Sequence, residues 1–310
     1  ADIVLPVATP LERNDIGASL FDNGMFAMPR VIPPLGEART DFEIFSGLAE
    51  RLGLGAEQNE GRDEMAWLRH MHEAAREKAG LPAFDEFWAK GRHDFPVSTK
   101  PHVMFADFRA DPLANKLKTP SGKIEIFSET IAGFGYADCW GHPAWFEPVE
   151  WLGSAKAAQH PLHLISNQPR ARLHSQMDMG PVSQARKVAG REPVGINPAD
   201  ASARGIADGD VVRLFNDRGA CLAGARVSAD VMPGVVQLST GAWYDPEQPG
   251  MIGTLDRHGN ANMLTRDGAT STLGQCGVAQ SALVQVERYA GAVQPVAEHK
   301  PPQISSYRDY

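Results

Sequence analysis

The sequence lacks any apolar run of the ~18 residues that a membrane-spanning helix requires. Val231–Leu238, one of its longer apolar stretches, is interrupted by Pro233 and Gly234. The 310 residues are 43% hydrophobic and 22% charged, a composition typical of a folded globular protein rather than a disordered one. We therefore expect a globular chain without a membrane span.

Cysteine is also scarce. Cys139, Cys221 and Cys276 are too few and too widely separated to form a disulfide framework or a cysteine-based zinc site. We expect each of them to be a buried thiol, because free cysteine is among the most frequently buried residue types.

Positive charge is in deficit, with a formal net charge of −8 at pH 7. This excludes a general nucleic-acid-binding protein, which needs a basic surface to contact phosphates. The Walker A loop and the G-x-G-x-x-G, G-x-S-x-G and H-E-x-x-H motifs are all missing. His70 and His72 are two residues apart on a predicted helix, so they point to different faces, and we expect surface histidines rather than a metal-binding pair.

Residues 1–154 have a mixed pattern that predicts an α/β portion. Thr40 and Glu43 have the spacing of a capping box, and the apolar residues that follow predict a helix that ends near Gly53. The other features predicted here are a strand at Ile3–Val7, a helix from near Asp63 to Lys78, a long ordered excursion over residues 82–120 and a strand at Gly122–Ser128.

The pattern changes near residue 155, after which short strands dominate. Short strands separated by frequent turn signals predict a closed barrel or a sandwich over residues 155–290. Residues 291–310 contain several prolines and predict an extended tail. The predicted strands are Leu162–Ser166, Val211–Phe215, Cys221–Val227 and Val235–Ser239. Asn216–Gly219 predicts a hairpin turn, and Asn197 followed by Pro198 predicts the start of a short helix.

Two polar clusters are candidate binding sites. Ser166–Gln176 directly follows a predicted strand and is rich in amide, arginine and histidine side chains, which suit a polar heterocycle that carries phosphates. In the second cluster, Asn260–Gln275, small residues permit close backbone approach to a ligand. A solvated loop and a turn-rich connection would contain similar residues. The residues alone therefore indicate a ligand-binding protein without an assigned chemistry.

Five segments resemble, in the same order, segments of the molybdopterin-guanine-dinucleotide oxidoreductases of the dimethyl sulfoxide reductase family. The resemblance covers nearly the whole chain and is strongest to the biotin sulfoxide reductases, with the trimethylamine N-oxide and dimethyl sulfoxide reductases close behind. The segments are Ala1–Pro6 with Glu12 and Arg13, Pro120–Ile126, Gly141–Pro148, Arg172–Gln176 and Asn260–Thr265.

This resemblance implies a fold, a cofactor and a chemistry. The fold would be an α/β N-terminal portion, part of a Rossmann-like domain, followed by a β-rich double-psi barrel over about residues 155–290. The cofactor would be a bis(molybdopterin guanine dinucleotide) molybdenum group that reduces S-oxides or N-oxides by oxygen-atom transfer. By motif position, the residues on its pterin and phosphate side would be Gln168, Arg172, His174 and Gln176, with Asn262 and Gln275 in the same cofactor-facing layer.

The resemblance also implies what this sequence lacks. The serine that binds molybdenum in these reductases has no counterpart here, so we expect a C-terminal portion that is inactive alone. The expected partners are the N-terminal remainder of the enzyme, a small sulfoxide or N-oxide, and an external electron donor. We expect a cytoplasmic location, with a periplasmic location as the alternative. A non-catalytic nucleotide- or protein-binding module that retains the barrel is the alternative function.

Overall fold

The computed structural model of the chain describes residues 3–19 and 21–300. They fall into two compact units, the first ending at Asn115 and the second beginning at Lys116. This division lies before the domain boundary predicted at residues 154–155. The predicted tail is described only up to residue 300, where it forms neither helix nor strand, and residues 301–310 lie outside the described residues. In the part of the chain that the structure describes, no helix combines the length and the apolar character needed to cross a bilayer.

The first unit combines a small sheet with helices, which confirms the predicted α/β content. Strands β1 (Asp15–Ala18), β2 (Gly24–Met28) and β3 (Arg92–Asp94) form an antiparallel sheet in that order. The helices are α1 (Asp41–Arg51), α2 (Gly55–Asn59), α3 (Glu64–Ala79), α4 (Phe84–Lys90) and α5 (Ala106–Ala110).

The two predicted helices of this unit begin at side-chain caps. Thr40 Oγ1 accepts a hydrogen bond from Glu43 N, and Glu43 Oε2 accepts one from Thr40 N, which completes the predicted capping box of α1. The Asp63 carboxylate accepts from Ala66 N at the start of α3. Both helices are confirmed because capping patterns depend only on residues that are close in sequence.

The prediction of two surface histidines is correct for His70 and wrong for His72. The His72 ring is buried, and it stacks on Phe87 with 4.9 Å between ring centroids. Phe84 packs against the same ring edge to face. Burial lowers the pKa of His72, so the ring is neutral near pH 7 and behaves as part of an aromatic core.

Two predicted strands do not form. Val7 makes only an isolated parallel bridge with Arg39, so Ile3–Val7 is not a strand among the described residues. Gly122–Ser128 is turns and irregular backbone, and its Ile124 and Ile126 side chains are exposed. A strand forms only where a neighbouring strand supplies hydrogen bonds. Among the described residues, Ile3–Val7 is paired only with the single residue Arg39, and no strand pairs with Gly122–Ser128.

The second unit contains a barrel and short helical segments. The helices are α6 (Glu129–Gly133), α7 (Pro181–Gln184) and α8 (Pro198–Ser202), with 3₁₀ turns at Ala155–Ala158 and Ala261–Met263. The strands are β4 (Leu162–Ile165), β5 (Pro193–Ile196), β6 (Val211–Asn216), β7 (Gly219–Val227), β8 (Val235–Leu238) and β9 (Ala282–Arg288).

Six strands close the barrel in the order β4-β8-β5-β7-β6-β9. The pairs β4·β8 and β5·β7 are parallel, and the other pairs are antiparallel. This mixed, closed arrangement confirms the predicted double-psi barrel. Its interior is apolar, with Leu164, Leu214, Val236 and Leu238 completely buried, so the barrel has a packed core.

The sequence patterns account for most of this barrel. The four strands predicted from residues 162–239 are confirmed as β4, β6, β7 and β8. The β6–β7 hairpin turns at Asn216–Gly219, and Asn197 caps α8 with Pro198 in its first turn, both as expected. Strands β5 and β9 were not predicted from the sequence. Strand β5 contains Pro193 and Gly195, two residue types that are uncommon in strands.

A buried carboxylate joins the segment before the barrel to the barrel itself. Arg218 in the β6–β7 turn donates two hydrogen bonds to Glu150, of 2.6 and 2.9 Å. Lys156 Nζ and the Leu283 N of β9 also donate to Glu150. Burial alone would raise the pKa of Glu150, but these donors outweigh burial and lower it to about 2.

Because the pKa of Glu150 falls from 4.5 to about 2 on folding, this carboxylate stabilises the folded state above pH ~4.5 and loses that effect as pH falls towards 2. The contribution is at most roughly 3 kcal/mol. We predict that Glu150→Gln lowers the free energy of unfolding near neutral pH. The difference from the unsubstituted protein should shrink between pH 5 and pH 3, as measured by urea denaturation. The exposed Glu147→Gln is the control, and a difference that does not change with pH would contradict the assignment.

Candidate functional site

A pocket of about 430 Å³ lies where strands β4 and β8 end. These strands are parallel, so the loops that follow them leave the barrel side by side, and Thr240 N donates to Asn167 O between them. His174 and Ser175 from the first loop and Thr240–Tyr244 from the second line the pocket, together with Asn260 and Asn262. Its volume is in the usual range for small-molecule and cofactor sites. We call it the barrel-end pocket.

The backbone of the two loops approaches more closely than a side chain would permit. Gly241 has φ +91°, and a Cβ built on it would lie 1.9 Å from His174 O. His174 itself has φ +49°, in the left-handed region that non-glycine residues rarely adopt. Unfavourable backbone conformations held in place by their surroundings are concentrated at binding sites.

A buried carboxylate fixes the third wall of the barrel-end pocket. Asp256 Oδ2 accepts hydrogen bonds from the backbone N–H groups of His258, Gly259 and Asn260, and Oδ1 accepts one from Asp245. Burial raises the pKa of Asp256, and these four hydrogen bonds oppose that rise. The carboxylate thereby sets the turn that presents Asn260 and Asn262 to the pocket.

The buried side chain of Arg172 links the loop after β4 to the loop after β8. This side chain is 2% exposed, and its guanidinium donates to the carbonyl oxygens of His174 (3.1 Å) and Thr240 (3.0 Å) and to Glu192 (3.1 Å). These donors are used within the protein, so the structural role of Arg172 is to hold the pocket loops together. Its predicted contact with a cofactor stays a prediction.

A buried group of charges supports Arg172. Lys187 Nζ bridges Asp178 (2.8 Å) and Glu192 (2.7 Å), and all three side chains are buried. Burial alone would raise the pKa of Asp178, but Lys187 holds it well below its usual range. Paired buried charges of this kind contribute little net stability, but breaking one pair is costly because it leaves an unpaired charge.

Trp243 connects the pocket wall to these charges. Its backbone N–H donates to Asp178, and its indole N–H donates to Ser175 O at 2.7 Å. His258 Nδ1 lies 2.9 Å from the Trp243 carbonyl oxygen. Burial lowers the pKa of His258 to about 4, so its ring is neutral near pH 7.

The structure brings together some of the residues that the sequence analysis assigned to the cofactor. His174 and Asn262 line the barrel-end pocket. Gln168 lies beside them, because its amide contacts the His174 ring at 2.6 Å and accepts from His174 N. Gln176 is exposed in the same loop, and neither its amide nor that of Asn262 makes a hydrogen bond within the described residues. These amides are free to pair with a ligand.

Gln275 lies elsewhere. Its side chain donates to Ser271 O and Thr272 O within its own loop, and it is not among the residues that line the barrel-end pocket. Its assignment to the cofactor stays a prediction, and the local hydrogen bonds show a turn-forming role for it.

A second, basic pocket of about 210 Å³ lies on the barrel flank. Pro169–Arg172 line this pocket, and two residues further along the chain His174 lines the barrel-end pocket. Arg170, Arg186 and Arg226 also line this flank pocket, and none of the three forms an ion pair within residues 3–19 and 21–300. Guanidinium groups without carboxylate partners are suited to bind phosphate oxygens.

Comparison with known proteins finds two family models that match parts of the chain and several similar enzymes. Residues 162–282 match the model of the molydopterin dinucleotide binding domain, and residues 1–51 match that of the molybdopterin oxidoreductases. The chain is 51% identical to a dimethyl sulfoxide/trimethylamine N-oxide reductase of Cereibacter sphaeroides over 94% of its length, and 49% identical to a biotin sulfoxide reductase of the same organism. It is 47% identical to trimethylamine-N-oxide reductase 1 of Escherichia coli K12.

These matches cover 36%, 39% and 36% of the three relatives, so the chain spans a little more than a third of their length. Among solved structures, acetylene hydratase from Pelobacter acetylenicus shares the fold, with a TM-score of 0.65 over 92% of this chain and 38% of the hydratase at 19% identity. The chain therefore carries a molydopterin dinucleotide binding domain and part of a molybdopterin oxidoreductase domain, and these relatives, at about 50% identity, are S-oxide and N-oxide reductases.

The close approach at Gly241 leads to a direct test. We predict that Gly241→Ala lowers the free energy of unfolding by about 1–3 kcal/mol more than Gly253→Ala. Both glycines have positive φ, but a Cβ at Gly253 meets no atom within 4 Å, so the pair isolates the contact with His174. Urea denaturation of the two variants measures the difference. Equal destabilisation would contradict the proposed packing of the two loops.

Proposed function

We propose that this chain binds a bis(molybdopterin guanine dinucleotide) molybdenum cofactor at the barrel-end pocket. We further propose that the intact enzyme to which it belongs reduces S-oxides or N-oxides by oxygen-atom transfer. The observation that carries the proposal is the pocket at the ends of β4 and β8, which His174 and the unpartnered Asn262 amide line within a region that matches the molydopterin dinucleotide binding domain.

The pocket residues fit the heterocyclic part of a dinucleotide. The free amides of Gln176 and Asn262 offer both donors and acceptors, which match the mixed donor and acceptor edge of guanine or of a pterin. Because Gly241 has no side chain, the His174 backbone can pack against it at the pocket wall. The turn fixed by Asp256 holds Asn262 in place before a ligand binds. Such preorganisation reduces the entropy cost of binding.

The phosphates have suitable partners nearby. Arg170, Arg186 and Arg226 line the flank pocket, and the segment between the two pockets is only a few residues long. We propose that one or more of these guanidinium groups bind the pyrophosphate. Arg172 then acts as the buried support that positions the loop.

The cofactor supplies the two-electron redox chemistry, which the protein side chains of this chain do not. In the overall reaction the S–O or N–O bond breaks, two electrons and two protons are taken up, and water and the sulfide or amine are released. The residues described above contribute by binding and orienting the cofactor and by excluding water from its buried side. The electron donor is an external partner in this proposal.

The relatives support the class of substrate. Their names include dimethyl sulfoxide, trimethylamine N-oxide and biotin sulfoxide, and their identities to this chain, 51%, 49% and 47%, are nearly equal. We therefore propose that the substrate is a small S-oxide or N-oxide, without choosing among the three named compounds.

We also propose a cytoplasmic location, which three unpaired cysteines favour over an oxidising compartment. The expectation that all three are buried is correct for Cys221 and wrong for the other two, because Cys139 is half-buried and Cys276 is exposed. An exposed thiol persists most readily where thiols are kept reduced.

The function is tested on the intact enzyme, including any sequence that adjoins this chain. With reduced viologen as electron donor, we expect two electrons consumed for each sulfide or amine formed from at least one of dimethyl sulfoxide, trimethylamine N-oxide and biotin sulfoxide. Enzyme from cells grown without molybdate is the control. If molybdenum-replete enzyme reduces none of the three, the oxide reductase proposal is wrong.

The binding residues are tested separately. We predict that His174→Ala and Gln176→Ala in the intact enzyme each reduce the molybdenum retained after gel filtration, because His174 lines the barrel-end pocket and Gln176 is an exposed amide two residues further along the same loop. His102→Ala and Gln248→Ala, at exposed positions, serve as matched controls. Molybdenum content equal to the controls in both variants would rule out this site assignment.

A further inference from the structure

Four metal-ligating side chains meet in the second unit, from three separate parts of the chain. Asp178 precedes α7, His258 follows Asp256, and Glu298 and His299 lie in the segment after β9. One nitrogen or oxygen from each lies within 4.8 Å of the others. We call these four residues the His–carboxylate cluster.

Four of the six distances between the ligand atoms of this cluster are close to those found between ligands around a metal ion, and the other two are at most 4.8 Å. Glu298 Oε1 lies 3.0 Å from His258 Nδ1 and 3.1 Å from His299 Nε2. Asp178 Oδ2 lies 3.2 Å from His299 Nε2 and 3.7 Å from His258 Nδ1. Ligands bound to Zn²⁺ at 2.0–2.2 Å in tetrahedral geometry are separated by roughly 3.3–3.6 Å. The cluster is therefore the right size for an ion at its centre.

An unsatisfied carboxylate points into this centre. The Glu298 side chain is 8% exposed. Within the described residues no well-aligned hydrogen bond reaches either of its oxygens, and the side chain of Asp245, another carboxylate, lies against it. His258 is completely buried. A buried carboxylate without partners is costly, and a divalent cation at the centre of the cluster would satisfy it together with the Asp178 oxygen that faces it.

The surroundings leave the required atoms available. Lys187 and Ser183 donate to Asp178 Oδ1, so Oδ2 is the oxygen that faces the cluster. The Gln184 amide lies 3.2 Å from His299 Nδ1, where it orients the ring as outer-shell partners of metal-bound histidines do. Binding through His258 Nδ1 would replace its contact with the Trp243 carbonyl and move the ring proton to Nε2, which has no partner in the structure.

We propose that the His–carboxylate cluster binds one Zn²⁺ ion through Asp178, His258, Glu298 and His299. Two imidazole nitrogens and two carboxylate oxygens form a donor set that Zn²⁺ accepts, and four protein ligands make a closed, structural site. The ion fastens the segment after β9 to the turn at Asp256. Through Trp243, whose N–H donates to Asp178, it also braces the wall of the barrel-end pocket.

The test uses untagged intact protein, treated with a chelator and then titrated with Zn²⁺ by calorimetry. We expect one Zn²⁺ bound per chain and a higher melting temperature in Zn²⁺ than in chelator. Replacing Zn²⁺ with Co²⁺ should give the visible d–d absorption of a tetrahedral cobalt site. Because the cobalt spectrum is recorded on the unsubstituted protein, this test holds even where a variant does not fold.

The variant Glu298→Gln/His299→Ala should bind Zn²⁺ at least about tenfold more weakly, in line with the loss of ligand groups. Glu247→Gln/His102→Ala substitutes the same residue types at exposed positions and should bind like the unsubstituted protein. The proposal is overturned if the unsubstituted protein binds no Zn²⁺ beyond the level of the Glu298 and His299 variant, or if bound Co²⁺ shows no tetrahedral spectrum. Either result would mean that protons shared among the four side chains, and not a metal ion, balance the negative charge of the cluster.

Discussion

The barrel-end pocket depends on the buried carboxylate of Asp256. A charge without access to water is tolerated only when its oxygens are fully hydrogen-bonded, and here four backbone N–H groups supply those bonds. The backbone of Asp256 also pairs with Ala220 and Leu222 of β7. Asp256 therefore connects the barrel to the pocket wall and to the turn that carries Asn262. Arg172 and Glu150 act in the same way at other junctions, so the apolar barrel core provides stability while buried charges set positions.

The parts of the fold that depend on local sequence are predictable. Helices α1 and α3 begin where Thr40 and Asp63 cap them, and the β6–β7 hairpin turns where the sequence indicates. The strand prediction at Gly122–Ser128 is wrong. Alternating polar and apolar residues indicate that a strand would have one polar and one apolar face, but they do not show whether a partner strand is present. His72 is wrongly placed at the surface because its burial depends on Phe87, which lies on the next helix.

The site is less predictable than the fold, since its contacts are long-range. Residue type and motif position selected His174 and Asn262, which meet at one pocket, but also Gln275, whose side chain bonds within its own loop. Asp178 was missed because its partner Trp243 is 65 residues away, and no local pattern reports such a contact. Asp256 had a local signal, because an aspartate followed three residues later by Gly259 favours a side-chain-stabilised turn.

The measurement that tests this account most directly is the ratio of GMP to molybdenum in the intact enzyme, with GMP released by acid and molybdenum determined by mass spectrometry. A pocket that holds half of a bis(molybdopterin guanine dinucleotide) cofactor predicts two GMP for each molybdenum atom. Purified enzyme that contains neither GMP nor molybdenum would contradict the account and leave the barrel as a binding module for some other ligand.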